Sequence, residues 1–161
     1  MTNNPHRRDL TFRDLDEVVR DVEHLQAKGY DRAGNWDLAQ VCGHLTKWLS
    51  YPLDGFPRAG CFVGTMLWLM KITVGKGMKK KILTTGKFKD GGPTMPESVP
   101  ASGGDEAAAV AKLKEMVERF KNHMGELHPS PLFGPMSREE LTRLHLIHCA
   151  HHLSFLTPKA N

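Results

Sequence analysis

Hydrophobic residues recur every three or four positions in four stretches of the chain, which is the pattern typical of amphipathic helices. The first stretch covers residues 11–28 and the second residues 35–51. The third begins near Asp105 and ends near His123, and the fourth covers residues 138–156. We find no credible set of alternating strands. The pattern therefore predicts an all-α protein with four long helices.

Several helix boundaries can be predicted from the residues that occupy them. Asn35 is the expected N-cap of the second helix. Ser137, with Glu140 three residues later, forms a capping box at the start of the fourth helix. Gly29 is expected to end the first helix, since glycine adopts the backbone conformation that follows a helix at little cost.

The segment between the second and third helices, residues 52–104, is the least regular part of the sequence. Residues 61–72 are apolar enough to form a short buried helix, and residues 90–104 are rich in glycine, proline and serine. Four helices with one long crossover are typical of a four-helix bundle, whose core often holds metal sites. At this length we expect a single domain that spans residues 1–161.

The fourth helix is unusual because it carries four of the nine histidines in the chain. These are His145, His148, His151 and His152. At about 100° per residue, three of them share one helix face with Leu141 and Phe155, and that face should point to the core. A buried imidazole needs partners for its donor and its acceptor, and a metal ion can accept the lone pair. His148 and His152 have the i, i+4 spacing that lets two rings reach one ion.

A neighbouring helix must supply a further ligand, and His44 in the second helix is the candidate. It lies beside the apolar stripe formed by Val41, Leu45 and Trp48. The alternatives remain open at this stage: a satisfied core histidine, a surface histidine, or a terminal histidine run that merely scavenges metal. Three histidines leave an open position on the ion, whereas closed structural zinc sites use four protein ligands.

Lysines cluster between residues 71 and 89, and Lys79, Lys80 and Lys81 are adjacent. They are candidates to bind an anionic group of a substrate, and a solvated surface is the alternative. The net charge of +4 is too small to indicate nucleic-acid binding, and the lysines lack interleaved aromatic residues. We therefore expect no nucleic-acid partner.

The N-terminus has no apolar signal-peptide region, and three cysteines form no spaced framework, so we expect a cytoplasmic protein. The longest nearly apolar run, residues 61–70, is about half of what a bilayer span requires. On that ground we expect no membrane partner. The same run can pack inside the bundle or form a homodimer contact.

Three segments of the chain resemble the DinB-like (YfiT-like) metalloprotein superfamily, in particular its DUF1569 branch. They read NWDLAQVCGHL, HPSPLFGPMSREE and HCAHHLSFL, and with gaps the resemblance covers residues 11–156. It implies a four-helix bundle that holds a divalent ion through His44, His148 and His152. His151 matches the other half of the double histidine of the family. His151 and His145 are candidates to support the ligands.

The resemblance also implies two classes of function. DinB-like relatives include S-transferases and isomerases that use low-molecular-weight thiols such as bacillithiol or mycothiol, and a metal-dependent hydrolase is a variant of this expectation. The alternative is a non-catalytic protein that binds metal or senses a ligand. Imidazole donors suit zinc, nickel, iron and copper, and zinc or nickel is our first expectation for the one divalent ion. The sequence indicates no catalytic base.

Overall fold

We describe residues 6–58, 60–91 and 96–160 in a computed structural model of the chain. The structure is mostly helical, which confirms the all-α prediction at that level. The helices are α1 (Leu15–Lys28), α2 (Leu38–Asp54), α3 (Cys61–Met70), α4 (Lys76–Thr85), α5 (Glu106–Asn122) and α6 (Arg138–Leu153). Two short strands, β1 (Tyr30–Arg32) and β2 (Leu156–Pro158), pair antiparallel. The sequence did not predict this pair, because three residues are too few to show alternation.

One hydrophobic core joins α1, α2, α5 and α6. Each of these helices buries its apolar stripe, and Val22, Leu45, Leu113 and Leu153 contribute one almost fully buried side chain from each helix. Leu156 of β2 extends the same core beyond the end of α6. Apolar side chains of the four long helices therefore share one core. The burial of these side chains supplies the main driving force for folding.

The capping residue of α2 differs from the prediction, although the box at the start of α6 and the glycine that ends α1 are confirmed. The N-cap of α2 is Asp37 rather than Asn35. The Gln40 amide N–H donates to the Asp37 carboxylate over 2.8 Å, and the Asp37 amide N–H donates to the Gln40 side chain over 3.2 Å. Leu38 stands three residues after Asn35 and cannot complete such a box.

The crossover contains a longer helix than predicted. A π-helical turn, Lys71–Gly75, joins α3 to α4, and the backbone stays right-handed helical at both junctions. Gly75 allows this helix to rest on the loop before α6, because a Cβ at that position would collide with the Leu132 carbonyl oxygen. Residues 61–85 therefore form one continuous helix interrupted by a π turn, a feature that often marks functional segments.

The prediction of a buried helix over residues 61–72 is wrong about its burial. Trp68 is 56% exposed and Ile72 is 54% exposed, and several neighbouring apolar side chains are similarly open. Apolar composition predicts burial only where other elements cover the helix, and no described side chain of residues 64–74 is buried. None of the helices in the described residues is both long and apolar enough to cross a membrane.

Candidate metal centre

Three histidine rings from two helices meet at one point in the structure. His44 comes from α2, and His148 and His152 come from successive turns of α6. The Nε2 atom of His148 lies 3.3 Å from Nε2 of His44 and 2.9 Å from Nε2 of His152. One ligand atom of each residue lies within 4.8 Å of the other two, so the three histidines can hold a metal ion.

The nitrogen–nitrogen distances fit a common metal ligand. With metal–nitrogen bonds of about 2.0–2.1 Å, two ligating nitrogens are about 2.9 Å apart at a right angle and about 3.3 Å apart at the tetrahedral angle. The two distances at His148 match these values. A proton can bridge only one pair of neutral rings at a time, so a metal ion satisfies this cluster better than hydrogen bonds do.

Burial keeps the three rings neutral. Removal from water lowers the pKa of His44 to about 4 and that of His152 to about 2. Burial, followed by the neighbouring histidines, lowers the pKa of His148 well below its ordinary value. A neutral imidazole has one nitrogen lone pair free for a ligand, whereas an imidazolium has none. At neutral pH the cluster therefore presents lone pairs without first losing protons.

A backbone contact sets the tautomer of His44. Its Nδ1 atom lies 3.2 Å from the carbonyl oxygen of Ser98 and 3.1 Å from the Ser98 hydroxyl. Because a carbonyl oxygen only accepts, Nδ1 must carry the proton and donate it. Nε2 is then the unprotonated nitrogen, and it is the atom that faces His148. Outer hydrogen bonds of this kind orient metal-binding histidines.

Aromatic rings enclose the cluster. The indole of Trp36 stacks on the His152 ring with centroids 5.0 Å apart and planes 6° apart. Trp48 contacts the His148 ring edge-on at 5.5 Å, and Phe88 contacts the same ring at 5.4 Å. The Trp48 indole nitrogen is buried, and the described residues give it no acceptor. The Trp48 ring contacts the cluster, and its N–H is a donor for which the described part of the chain offers no acceptor.

The two other histidines of α6 differ in position. His151 packs against the His152 ring at 5.0 Å, and its Nδ1 lies 3.1 Å from the Arg7 guanidinium. His145 lies one turn before His148 and packs edge-on against Phe120 of α5 at 5.2 Å. The structure therefore places His151 beside the ligand cluster and His145 at the α5 interface.

The three adjacent lysines also have different environments. Lys79 is partly buried and its ammonium donates to the Glu140 carboxylate over 3.0 Å, while Lys80 and Lys81 are exposed. None of the three lines the larger of the two principal cavities of the described structure. That cavity, of about 710 Å³, has cationic side chains from Arg7, Lys87 and Arg143 in its wall.

Four contributors to the site were not predicted from the sequence. Ser98 and Phe88 lie in the irregular crossover, and no local pattern connects them to the histidines. Trp36 lies in the connection before α2, although the sequence placed it at the start of the second helix without a role in the site. Trp48 was assigned to the apolar stripe of α2, but its i, i+4 spacing from His44 was a signal that it contacts the same site.

These features define the class of the chain: an all-α protein whose second and last long helices present three histidines that can hold a metal ion. The model of a protein family of unknown function, DUF1569, matches residues 4–159, and the chain belongs to this family. The predicted membership of the DUF1569 family is thereby confirmed. No curated protein and no solved structure matches the chain.

A substitution next to His44 tests the role of Ser98. A Cβ on Gly43 would lie 2.5 Å from Cγ of Pro100, whose carbonyl is held by the Gln40 side chain over 3.1 Å. Gly43→Ala should therefore push the segment that carries Ser98 away from α2 and weaken the contact with Nδ1 of His44. We expect metal affinity to fall about 10–100-fold, the usual cost of losing an outer partner, as measured by competition with a chelating dye.

Gly77→Ala is the matched control, since no heavy atom lies within 4 Å of a Cβ at that helical position. Alanine should stabilise that helix slightly, by up to about 1 kcal/mol, and leave metal affinity unchanged. A Gly43→Ala protein that binds metal as tightly as the parent would show that the Ser98 contact is dispensable.

Proposed function

We propose that this protein is a metal-binding four-helix bundle of the DinB-like type, with one divalent ion held by His44, His148 and His152. The observation that carries the proposal is the convergence of three neutral imidazoles from α2 and α6, with Nε2 atoms 2.9 and 3.3 Å apart. Neutral imidazole is a ligand of intermediate softness, and such ligands suit zinc and nickel.

The donor set favours an ion with an open coordination position. The cluster in the described residues has three members, while closed structural zinc sites use four protein ligands. Cys42 and Cys149 are both buried, and burial raises the pKa of each thiol to about 12, so both remain protonated thiols. The Trp48 indole N–H has no acceptor in the described residues, and its ring contacts the His148 ring. This supports an additional acceptor near the centre, such as a small ligand of the ion.

Cobalt(II) titration of metal-free protein tests the proposal. Visible d–d absorption should saturate at one ion per chain, and the fluorescence of Trp36 should be quenched because its ring stacks on His152. Trp36→Phe should lose most of that quenching while it retains the absorption end point. Trp68→Phe, which removes an exposed indole outside the site, should leave the quenching unchanged. A titration without an end point would refute the site.

A thiol-dependent S-transferase is the second candidate, and the position of the large cavity favours it. Phe88 and His151 line that cavity and also contact the ligand histidines. An ion at this site would act as a Lewis acid that lowers the pKa of a bound thiol. Arg143 and Lys87 would bind carboxylates of the thiol cosubstrate, and the aromatic rings would limit the access of water.

The catalytic proposal needs its own assay. Metal-loaded protein should conjugate a low-molecular-weight thiol to monochlorobimane faster than metal-free protein does. Arg143→Gln should raise the KM for an anionic thiol with little change in kcat, because this side chain would bind the substrate and not the reacting atoms. If a panel of thiols gives no metal-dependent turnover while cobalt still binds, the non-catalytic alternative of a metal-binding or ligand-sensing protein is favoured.

A further inference from the structure

The charge of the chain is concentrated in one segment. Residues 55–89 contain eight lysines and arginines and no aspartate or glutamate. The whole chain has 22 basic and 18 acidic residues, so the remainder is net acidic. The cationic residues of the segment are Arg58, Lys71, Lys76, Lys79, Lys80, Lys81, Lys87 and Lys89. A surface of this kind attracts a negatively charged partner.

The same segment exposes a large apolar surface on its helix. We call the continuous helix of residues 61–85 the crossover helix. It rests on the protein through its C-terminal part, where Gly75 and Ile82 are buried. Its outward apolar side chains are about half exposed: Trp68 56%, Ile72 54%, Leu69 52%, Val74 50% and Met66 47%. A group of exposed apolar side chains on one helix is typical of an interaction site.

Apolar and cationic residues follow one another along this helix. The exposed apolar side chains belong to α3 and the π turn, except Met78 of α4, which is 36% exposed. The exposed lysines Lys76, Lys80 and Lys81 belong to α4. Interfacial membrane helices use the same residue types, an indole, aliphatic side chains and lysines, on opposite faces. Here the two groups occupy successive segments of one helix. Interfacial helices need no membrane-spanning length.

We propose that the crossover helix docks the protein on an anionic lipid bilayer. The apolar side chains of α3 and the π turn enter the boundary between headgroups and acyl chains. The lysines of α4 bind the phosphates of the lipid headgroups, and Trp68 lies at the interface, where indoles are favoured. This proposal revises the sequence-based expectation of no membrane partner, which considered only the length of the apolar run.

The charge and the composition of the surface favour a lipid bilayer over two other partners, a second copy of the chain and single-stranded nucleic acid. In a symmetric contact with a second copy of the chain, the two cationic segments would repel each other. The exposed side chains beside the lysines are chiefly aliphatic, whereas single-stranded nucleic acid is bound on several stacked aromatic rings. An anionic bilayer can bind both parts of the surface, because its phosphates pair with the lysines and its apolar interior accepts the apolar side chains.

Flotation of the full-length protein with vesicles tests the proposal. The protein should float with vesicles of equal parts phosphatidylcholine and phosphatidylglycerol, and not with phosphatidylcholine alone. Each lysine near an anionic membrane contributes about a five-fold gain in binding. The triple variant Lys76→Gln, Lys80→Gln and Lys81→Gln should therefore bind about 100-fold more weakly. The control triple variant of Lys112, Lys114 and Lys121 to glutamine, on exposed positions of α5, should bind as the parent does.

A second pair of variants tests the apolar half of the surface. Trp68→Ser should weaken flotation and abolish the blue shift of tryptophan fluorescence on vesicles. Met124→Ser removes a side chain that is 94% exposed elsewhere on the protein and should change neither readout. Absence of flotation, or equal binding to neutral vesicles, would overturn the proposal. So would a dimer in sedimentation velocity that Trp68→Ser dissociates, which would assign the surface to a second copy.

Discussion

Replacing His148 with alanine should abolish metal binding. Its Nε2 atom is the centre of the cluster, 3.3 Å from that of His44 and 2.9 Å from that of His152. Without it, two imidazoles remain, and affinity should fall by more than the roughly 10–100-fold that loss of an outer hydrogen-bond partner costs. Elemental analysis of protein loaded with zinc and then desalted should give about one ion per parent chain and almost none for His148→Ala.

His24→Ala is the matched control, because His24 is an exposed residue of α1. It should retain the full metal content. Far-ultraviolet circular dichroism should show that both variants remain helical, so that a lost ion is not the result of a lost fold. If folded His148→Ala protein keeps its metal, the three-histidine assignment is wrong, and the catalytic proposal fails with it.

The sequence predicted the helices well because their cores follow simple periodicity. The predicted stripe of α1 is fully buried, and most of the predicted apolar positions of α2 and α5 are buried in the same core. α6 joins that core through Leu141, Cys149 and Leu153. The sequence also indicated which histidines the structure brings together, because His148 and His152 are one turn apart on α6. His44 could be added only through a family resemblance and the need for a ligand from a second helix.

The supporting parts of the site depend on tertiary contacts that no local pattern encodes. Ser98 contacts His44 from 54 residues away along the chain, and Phe88 contacts His148 from the irregular segment that follows α4. Periodicity informs only about neighbours within a few turns. Contacts that depend on how a long connection folds back on the helices therefore appear only in the structure.

Periodicity placed His145, His148 and His152 on one face of α6, but the structure does not bring all three to the same site. His145 and His152 differ by seven residues, which places them at nearly the same angle around the helix but about 10 Å apart along it. His145 therefore meets Phe120 of α5 instead of the cluster. A shared helical stripe predicts a common direction and not a common contact. The burial of the crossover helix was overstated for a similar reason, since composition does not show which sides are covered.

The burial of His145 leads to a prediction about the stability of the protein in acid. Its side chain is 4% exposed, its Nε2 atom has no hydrogen-bond partner in the described residues, and burial lowers its pKa to about 4. An unfolded histidine has a pKa of about 6.5. Between these two values the unfolded chain holds a proton on this residue that the folded protein does not, so stability falls as the pH falls.

The expected loss is about 1.4 kcal/mol per pH unit at most, or about 3 kcal/mol in total from this residue between pH 6.5 and pH 4. His145→Leu should remove that share and flatten the pH dependence of the free energy of unfolding, measured by urea denaturation with a chelator present. At neutral pH it should be as stable as the parent or more so, because a buried unpaired nitrogen costs about 1–3 kcal/mol. His24→Leu should leave the parent profile unchanged. Parallel profiles for parent and His145→Leu would mean that the ring is protonated, or solvated, in the folded protein.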